Sequence, residues 1–448
     1  MTIVLLICFV IKYKKEFYKK IGGTVLSDKK EDKFPNCYRL DSGGIIYPYI
    51  AKSDWNQVFR LEAELDEDID VQCLVTALTN LQKRFPSFFV NIEKRKVLYL
   101  LRKTDELPEI VPEKKICRQF DLLQKEHPLF RMTYKGKRLG IELFHSVSDG
   151  NGAIIFFINI IAEYYAVKGT RIQKTDKLFE HGFSFENRDT ENSFLRVFEQ
   201  GGKSSSRSEK PAYQYNGGKA DSEFHLTTFK ISVDSLKKKA EEYDATVTLF
   251  LAAVYTKALC KCAVADECKD SVKIEIPLDL RRRFDSVTLR NFSLYFITDT
   301  SPEYANRSLG DIIEILRPQF ESGADTKKLR NDIYTNVSQS EMAVFKGMPI
   351  FMKKAILKLG NSIYGERLFT TPLSNIGVVN LPDEIKDKVR SFGFIIGRTL
   401  KNTVYSGVVT LNGTLYWNLS SVALSTAAEH NIIHILNKAG IAFEIKER

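Results

Sequence analysis

The chain has 448 residues, more than a single hydrophobic core usually holds, so two domains of roughly 150–250 residues each are expected. Hydrophobic residues make up 44% and charged residues 27%, the composition of a soluble globular protein. The formal net charge is +10, but the basic residues are scattered among acidic ones, and no aromatic RNA-binding strand, zinc finger or basic zipper is present. No nucleic-acid partner is therefore expected. The positive excess indicates either a solvated surface or attraction for a small anionic molecule.

The cysteines and the N-terminus bear on the compartment. Seven cysteines at irregular spacing, without paired CxxC motifs, predict neither a zinc site nor a disulfide framework, which favours the reducing cytoplasm. Residues 2–11 are apolar, but ten residues are too few to span a bilayer, which needs about 20. They lack the flanking pattern of a signal peptide. The alternatives are a short interfacial membrane anchor or a start codon placed too early, and residues 1–33 are expected to lie outside the fold.

The elements of the first half follow from periodicity and breakers. Alternating apolar residues predict strands, and apolar spacing from Val71 to Leu81 predicts a helix that closes before Pro86. Gly136 separates two apolar runs as a hairpin turn would. The predicted strands are 55–65, 97–101, 129–134 and 139–145, and the predicted helices are 71–85 and 153–167.

A change in composition follows at residues 184–221, which are rich in Ser, Asn, Gly, Glu and Arg. Such a stretch is typical of a crossover between domains. The sequence therefore predicts an N-terminal domain over 34–185, a linker over 186–221 and a C-terminal domain over 222–448.

The second half repeats the mixture of strands and helices. Asn412-Gly413 marks a hairpin between two of its strands. The predicted strands are 223–231, 272–278, 291–299, 374–380, 405–411 and 414–420, and the predicted helices are 233–243, 246–263, 309–322, 341–364 and 426–437. The similar order in both halves predicts an α+β fold.

The segment His145-Ser-Val-Ser-Asp149-Gly150 lies between a predicted strand and a buried helix. Such a junction can hold a reactive side chain rigidly at a cleft. A neutral imidazole can accept a proton from a hydroxyl or amine, so His145 is the candidate general base. Asp149 can fix the loop by local hydrogen bonds or pair with a distant arginine, and Gly150 allows close backbone approach. The alternative is a partly buried histidine at a strand end.

A second stretch, Pro-Leu-Asp279-Leu-Arg281-Arg-Arg283, places positive charge at the end of a predicted strand. Arg281 can pair with Asp149 through two parallel hydrogen bonds. Taken alone, this stretch would be read as a solvated basic loop.

Together the two stretches resemble the coenzyme A-dependent acyltransferase superfamily, which includes chloramphenicol acetyltransferase (CAT), plant BAHD acyltransferases, peptide-synthetase condensation domains and bacterial alcohol acetyltransferases. The HxxxDG signature is matched by His145, Asp149 and Gly150, and the plant Asp-x-Arg-x-Arg motif by Asp279, Arg281 and Arg283. In the plant branch an aromatic-Gly-Asn follows, which Asn291 matches with Arg290 in place of the Gly. The stretches Tyr38-Arg39-Leu40-Asp41, with Ile46-Tyr47-Pro48, and Ser374-Asn375-Ile376-Gly377, with Leu381-Pro382, look like those of the bacterial alcohol acetyltransferase-like branch.

Two departures bear on which branch of the superfamily the sequence resembles. Phe144 stands where condensation domains have a second histidine, and the plant DFGWG motif is absent. These features favour the bacterial alcohol acetyltransferase-like branch. The resemblance covers residue 38 to the end of the sequence.

The resemblance implies two CAT-like α/β sandwich domains with a tunnel between them. It implies acyl-CoA, in particular acetyl-CoA, as cosubstrate, a small alcohol or amine as acceptor, and no permanently bound cofactor. His145 would be the base, Asp149 would shape its loop through Arg281, and Ser374 or Asn375 would donate to the oxyanion.

Two alternatives to a soluble acyltransferase remain open. A CAT-like scaffold that only binds a small molecule is one alternative, and a peripheral membrane enzyme acting on lipid-like acceptors is another. His430 and His434 have the spacing of a metal pair on a helix but lack a third ligand, so no metal site is expected. The protein is expected to be a cytoplasmic monomer.

Overall fold

The structure is a computed structural model that describes residues 36–52, 57–173, 187–204, 210–215, 217–218, 224–342, 347–399 and 402–448, without the side chains of 362–364. The apolar N-terminal segment 2–11, and with it the expectation for residues 1–33, lies outside the described residues.

Fifteen strands are found in the described part of the chain. They are β1 Cys37–Arg39, β2 Val58–Leu65, β3 Val90–Lys94, β4 Tyr99–Lys103, β5 Glu109–Pro112, β6 Phe130–Lys135, β7 Arg138–Phe144, β8 His225–Ser232, β9 Ile274–Asp279, β10 Ser293–Ile297, β11 Thr371–Val379, β12 Val389–Ile396, β13 Val404–Leu411, β14 Thr414–Ser421 and β15 Phe443–Glu447. They form sheets of order β1-β4-β3, β12-β2-β7-β6-β5 and β10-β9-β11-β13-β14-β8-β15.

Helices cover the sheets. They are α1 Tyr47–Ile50, α2 Val71–Leu81, α3 Gly150–Val167, α4 Ser193–Glu199, α5 Val233–Glu241, α6 Val247–Ala265, α7 Leu309–Gly323, α8 Thr326–Glu341, α9 Ile350–Tyr364, α10 Asp383–Lys386 and α11 Ala427–Lys438. The predicted α+β class is confirmed.

Each half has a long apolar helix in its core. In the first half α3 packs beside α2, and Phe156 stacks on Phe88 with ring centroids 4.1 Å apart. In the second half α6 lies against the seven-stranded sheet, where Tyr255 meets the buried Trp417 edge-on. Both α3 and α6 have the length and hydropathy of a membrane span, but most of each helix is buried inside the protein. Their all-round apolar character is that of central core helices.

Strand β12 connects the two halves. It comes from the second half, yet it pairs antiparallel with β2 of the first. It also packs against the large sheet, where the Phe394 N–H donates to Asn418 Oδ1 over 3.1 Å. Gly407 of β13 permits this crossing, because a Cβ there would lie 2.2 Å from the Phe394 carbonyl oxygen. The sequence did not predict this strand, and the division of the chain at 186–221 stays a prediction.

One predicted helix is wrong, and one helix was not predicted. A helix was predicted over 341–364, but α9 begins only at Ile350, after Gly347 and Pro349, and a separate helix α8 precedes it. The sequence did not predict helix α8, because this helix is mostly polar and has only a narrow apolar stripe at Leu329, Ile333 and Val337. Part of the predicted linker 186–221 also folds, as helix α4, which packs on α8.

Candidate active site

His145 lies directly after β7, at the edge of the first sheet. Its backbone N–H donates to the Gln57 carbonyl over 2.9 Å, which extends the pairing with the chain before β2. The imidazole is half-buried between two aromatic rings, with centroid distances of 5.0 Å to Tyr47 and 5.1 Å to Phe59. These rings limit the orientations open to the imidazole.

The side chain of Asn291 determines which imidazole nitrogen carries hydrogen. His145 Nδ1 lies 3.2 Å from Asn291 Oδ1. A carbonyl oxygen only accepts, so in the neutral ring Nδ1 must donate and Nε2 has the free lone pair. In the described part of the chain no group is within hydrogen-bond distance of Nε2, and His145 lines the large cavity.

Asp41 holds the Asn291 amide in that orientation. Asn291 Nδ2 donates to Asp41 Oδ2 over 3.4 Å, which leaves the amide oxygen for His145. Asp41 is fully buried, accepts from the Gly44 N–H over 2.7 Å, and faces Arg290 at 3.5 Å. Burial raises the pKa of Asp41 above its usual value, although Arg290 and the hydrogen bonds oppose this effect.

Asp149 has a structural set of partners. It caps the N-terminus of α3 by accepting from the Gly152 N–H over 2.9 Å. Its Oδ2 accepts from the Phe292 N–H over 2.7 Å, and both oxygens accept from the guanidinium group of Arg281, at 2.9 and 3.1 Å. None of these bonds involves His145, so Asp149 does not relay a proton from the imidazole.

The predicted pair of Arg281 and Asp149 is present, and Arg281 is fully engaged. Its remaining N–H groups donate to Asp279 Oδ1 and to the carbonyls of Thr288 and Arg290, each over 2.8 Å. All five guanidinium donors are thus used. Burial disfavours the charge, but the carboxylates of Asp149 and Asp279 outweigh it and raise the pKa of Arg281.

Two serines fix the loop between His145 and Asp149. Ser146 Oγ donates to the Gly44 carbonyl over 2.8 Å, and Ser148 Oγ donates to the Leu289 carbonyl over 2.6 Å. The Leu289 N–H in turn donates to the Asp189 carbonyl over 2.7 Å. The stretch predicted as linker therefore helps to hold the Arg281 loop against the motif.

Close contacts limit the space for a side chain at Gly150 and Gly152, and the nearest backbone atom lies at Gly152. A Cβ at Gly150 would lie 2.9 Å from Ile376 Cγ2 of β11. At Gly152 it would lie 2.1 Å from the Leu289 carbonyl oxygen. The second half of the chain thus also packs closely against the first turn of α3.

A cavity of about 1610 Å³ is lined by residues of both halves, including His145. This exceeds the usual volume of a site for one small molecule, about 300–1,000 Å³. Its walls include Tyr47 and Phe59 from the first half, and Ser374 and Asn375 from β11. The cavity can therefore take two ligands, or one long one, beside the imidazole.

Ser374 and Asn375 differ in how far their side chains are engaged. Asn375 Nδ2 donates to Thr248 Oγ1 over 3.0 Å, and its Oδ1 accepts from the Gly377 N–H over 2.9 Å. Ser374 Oγ has no hydrogen bond within the described residues. Ser374 is thus the less constrained of the two predicted oxyanion donors.

The described residues contain no group of three or more His, Cys, Asp or Glu side chains placed as metal ligands. His430 and His434 lie exposed on α11.

Sequence reasoning matched Asn291 and Asp41 to motifs but gave neither a role. Their contact joins residues 250 positions apart, so no local spacing could reveal it. The signal in the sequence was their place at the ends of two conspicuous stretches, Tyr38–Asp41 and Asp279–Asn291.

No family model matches the chain, and no curated protein sequence matches it significantly. Solved structures do match. One is F. sporotrichioides TRI101 complexed with coenzyme A and T-2, with a TM-score of 0.60 and 12% identity over 91% of this chain and 99% of that one. Another is polyketide synthase associated protein 5 from Mycobacterium tuberculosis, with a TM-score of 0.51 and 14% identity over 88% of this chain and 98% of that one. The nonribosomal peptide synthetase FmoA3 matches with a TM-score of 0.57 and 11% identity over 90% of this chain and 42% of that one.

This chain therefore shares its fold with these three proteins. At these identities the likeness concerns the fold, and it confirms the CAT-like architecture that the sequence predicted.

Proposed function

We propose that the protein is an acyltransferase that moves an acyl group, in particular acetyl, from acyl-CoA to an alcohol or amine. The observation that carries this proposal is the fixed imidazole of His145, whose Nε2 is unbonded within the described residues and which lines a cavity shared by both halves. The fold shared with TRI101, which was crystallised with coenzyme A, supports acyl-CoA as the cosubstrate.

In the proposed reaction Nε2 of His145 accepts the proton of the acceptor hydroxyl or amine as it attacks the thioester carbonyl. The new bond joins the acceptor atom to the acyl carbon, and the bond from carbon to sulfur breaks. The proton returns from His145 to the leaving thiolate, giving free coenzyme A. Asn291 stabilises the imidazolium formed in between, because its Oδ1 accepts from Nδ1–H throughout.

The developing oxyanion needs a hydrogen-bond donor, and we assign that role to Ser374 ahead of Asn375. Ser374 lies in the cavity wall with its hydroxyl uncommitted within the described residues, whereas Asn375 is engaged by Thr248 and Gly377. Loss of one such donor typically costs about 10²–10³ in kcat.

Arg282 and Arg283 are proposed to attract the phosphates of coenzyme A. Both are exposed, both line the cavity, and neither guanidinium group has an ion pair within the described residues. Exposed cations at a cavity entrance raise the local concentration of an anionic ligand.

The test is thiol release from acetyl-CoA over a panel of alcohols and amines. The unmodified chain should release thiol with at least one acceptor, and His145→Ala should abolish the release while the thermal transition is retained. His430→Ala, which removes an exposed histidine elsewhere, is the matched control. Full activity of His145→Ala would refute the mechanism, and binding of coenzyme A without turnover over the whole panel would support the non-catalytic alternative.

The alternative of a peripheral membrane enzyme with lipid-like acceptors rests on the apolar residues 2–11 and the lysines that follow them. If residues 2–11 do not bind a membrane, we propose that the protein is a cytoplasmic monomer. Liposome co-sedimentation of the full chain and of a Leu5→Glu, Leu6→Glu variant tests the anchor, because unchanged sedimentation would refute it.

A further inference from the structure

Helix α9 carries an apolar stripe on its outer face. Phe351 is 73% exposed and Leu359 is 43% exposed, and Ala355 between them is exposed as well. Residues four apart on a helix share one face, so these three side chains form a continuous row. The other large exposed apolar side chains in the described part of the chain occur singly on separate elements.

The charged residues of this segment are all basic. Residues 342–365 contain four lysines and no acidic residue, although acidic residues are nearly as common as basic ones in the whole chain. Of these lysines, Lys353 is buried and donates to the Val97 carbonyl, so it adds no charge to the surface. Lys354 and Lys358 lie one helical turn apart beside the apolar row. Lys358 is exposed, whereas Lys354 is half-buried with its Nζ 5.8 Å from the centroid of the Tyr99 ring. A helix with apolar and basic exposed residues is typical of contact with an anionic lipid surface.

The position of α9 links this surface to the cavity. The helix packs on α1, whose Tyr47 and Ile50 line the cavity, and Asn361 near its C-terminal end lines it too. At 1.5 Å per residue, Asn361 lies about 15 Å along the helix from Phe351.

We propose that α9 docks the protein on an anionic membrane surface, with Phe351 and Leu359 entering the acyl boundary and the lysines meeting the headgroups. A second copy of this helix is a poor occupant, because two basic surfaces would face each other. The N-terminal segment 2–11 is disfavoured for the same reason, since it is followed by Lys12, Lys14 and Lys15. This docking is independent of the acyl transfer proposed above.

The test uses the full chain with Phe351→Trp and vesicles of phosphatidylcholine, with and without phosphatidylserine. The emission of the introduced Trp should shift to the blue and be quenched by brominated lipid only when phosphatidylserine is present. The unmodified chain corrects for its two tryptophans, one of which is the buried Trp417. Leu123→Trp is the matched control, because Leu123 is 59% exposed but flanked by Asp121 and Glu126.

Replacing Lys354 and Lys358 by alanine in the Phe351→Trp chain should weaken its partitioning about tenfold or more, because each lysine near such a surface contributes about fivefold. A Phe351→Trp response no larger than that of Leu123→Trp would overturn the proposal. Burial of the row in a dimer would overturn it too, and would appear as a concentration-dependent mass in sedimentation. A response unaffected by the lysine substitutions would refute the electrostatic part.

Discussion

Replacement of Asp149 by Asn tests whether this carboxylate holds the histidine loop. The substituted amide would keep one acceptor oxygen, but its NH₂ group would then face donors, namely the Phe292 N–H or a guanidinium N–H of Arg281. Arg281 is 8% exposed and would lose its bidentate partner. Breaking a buried pair in this way typically costs about 3–5 kcal/mol.

An unfolding entropy of about 2.1 cal/mol/K per residue converts this cost into a fall in Tm of about 3–10 °C, depending on whether the whole chain or one half unfolds together. Differential scanning calorimetry measures the fall, and thiol release measures the accompanying loss of activity. Asp279→Asn is the matched control, because Asp279 contacts the same guanidinium group from a side chain that is 33% exposed. It should cost about 1 kcal/mol or less. Equal shifts for the two variants would refute the assignment of the loop to Asp149.

Three further predictions follow from named contacts. Asn291→Leu removes the acceptor for Nδ1–H of His145, so the imidazole then samples the unproductive tautomer. The kcat of thiol release should fall about tenfold or more with little change in KM. An unchanged kcat would contradict this prediction. Arg282→Ala with Arg283→Ala should raise KM for acetyl-CoA, with the effect fading at high salt as screening increases; a salt-independent effect argues against a charge role. Burial alone would raise the pKa of Glu62, but Arg60 and Arg448 outweigh it and lower the pKa to about 2. The contribution of ionised Glu62 to the free energy of unfolding is therefore complete above the ordinary pKa of 4.5 and is lost as pH falls towards 2. The free energy of unfolding should therefore fall less steeply over that range in Glu62→Gln than in the unmodified chain, and parallel curves would refute the inference.

The strongly periodic elements could be predicted from the sequence. The hairpin of β6 and β7, the core helices α3 and α6 and the hairpin at Asn412-Gly413 each lie within two or three residues of their predicted bounds. Local pattern is sufficient there because the apolar face and the turn residues agree.

Strand β12 and helix α8 could not be predicted from local pattern. The pairing of β12 with β2 joins chain segments more than 300 residues apart, and no local signal reports such a partner. Helix α8 has few apolar residues and is stabilised by packing on α4 and α7, so its own periodicity is weak.

Some residues of the candidate site could be predicted from the sequence, and others could not. The segment from His145 to Gly150 is a local motif, and the resemblance to known acyltransferases supplied Arg281 as the partner of Asp149. The support of the imidazole by Asn291 and Asp41 depends on three segments meeting in space, which only coordinates reveal.

The central claim, that His145 is the proton acceptor in acyl transfer, is tested most directly by chemical rescue. His145→Ala leaves a space beside Asn291 where free imidazole can take the position of the lost ring. With a competent acceptor, added imidazole should restore thiol release in a saturable manner, following its neutral form as pH changes. Activity of His145→Ala that equals that of the unmodified chain and does not respond to imidazole would contradict the claim.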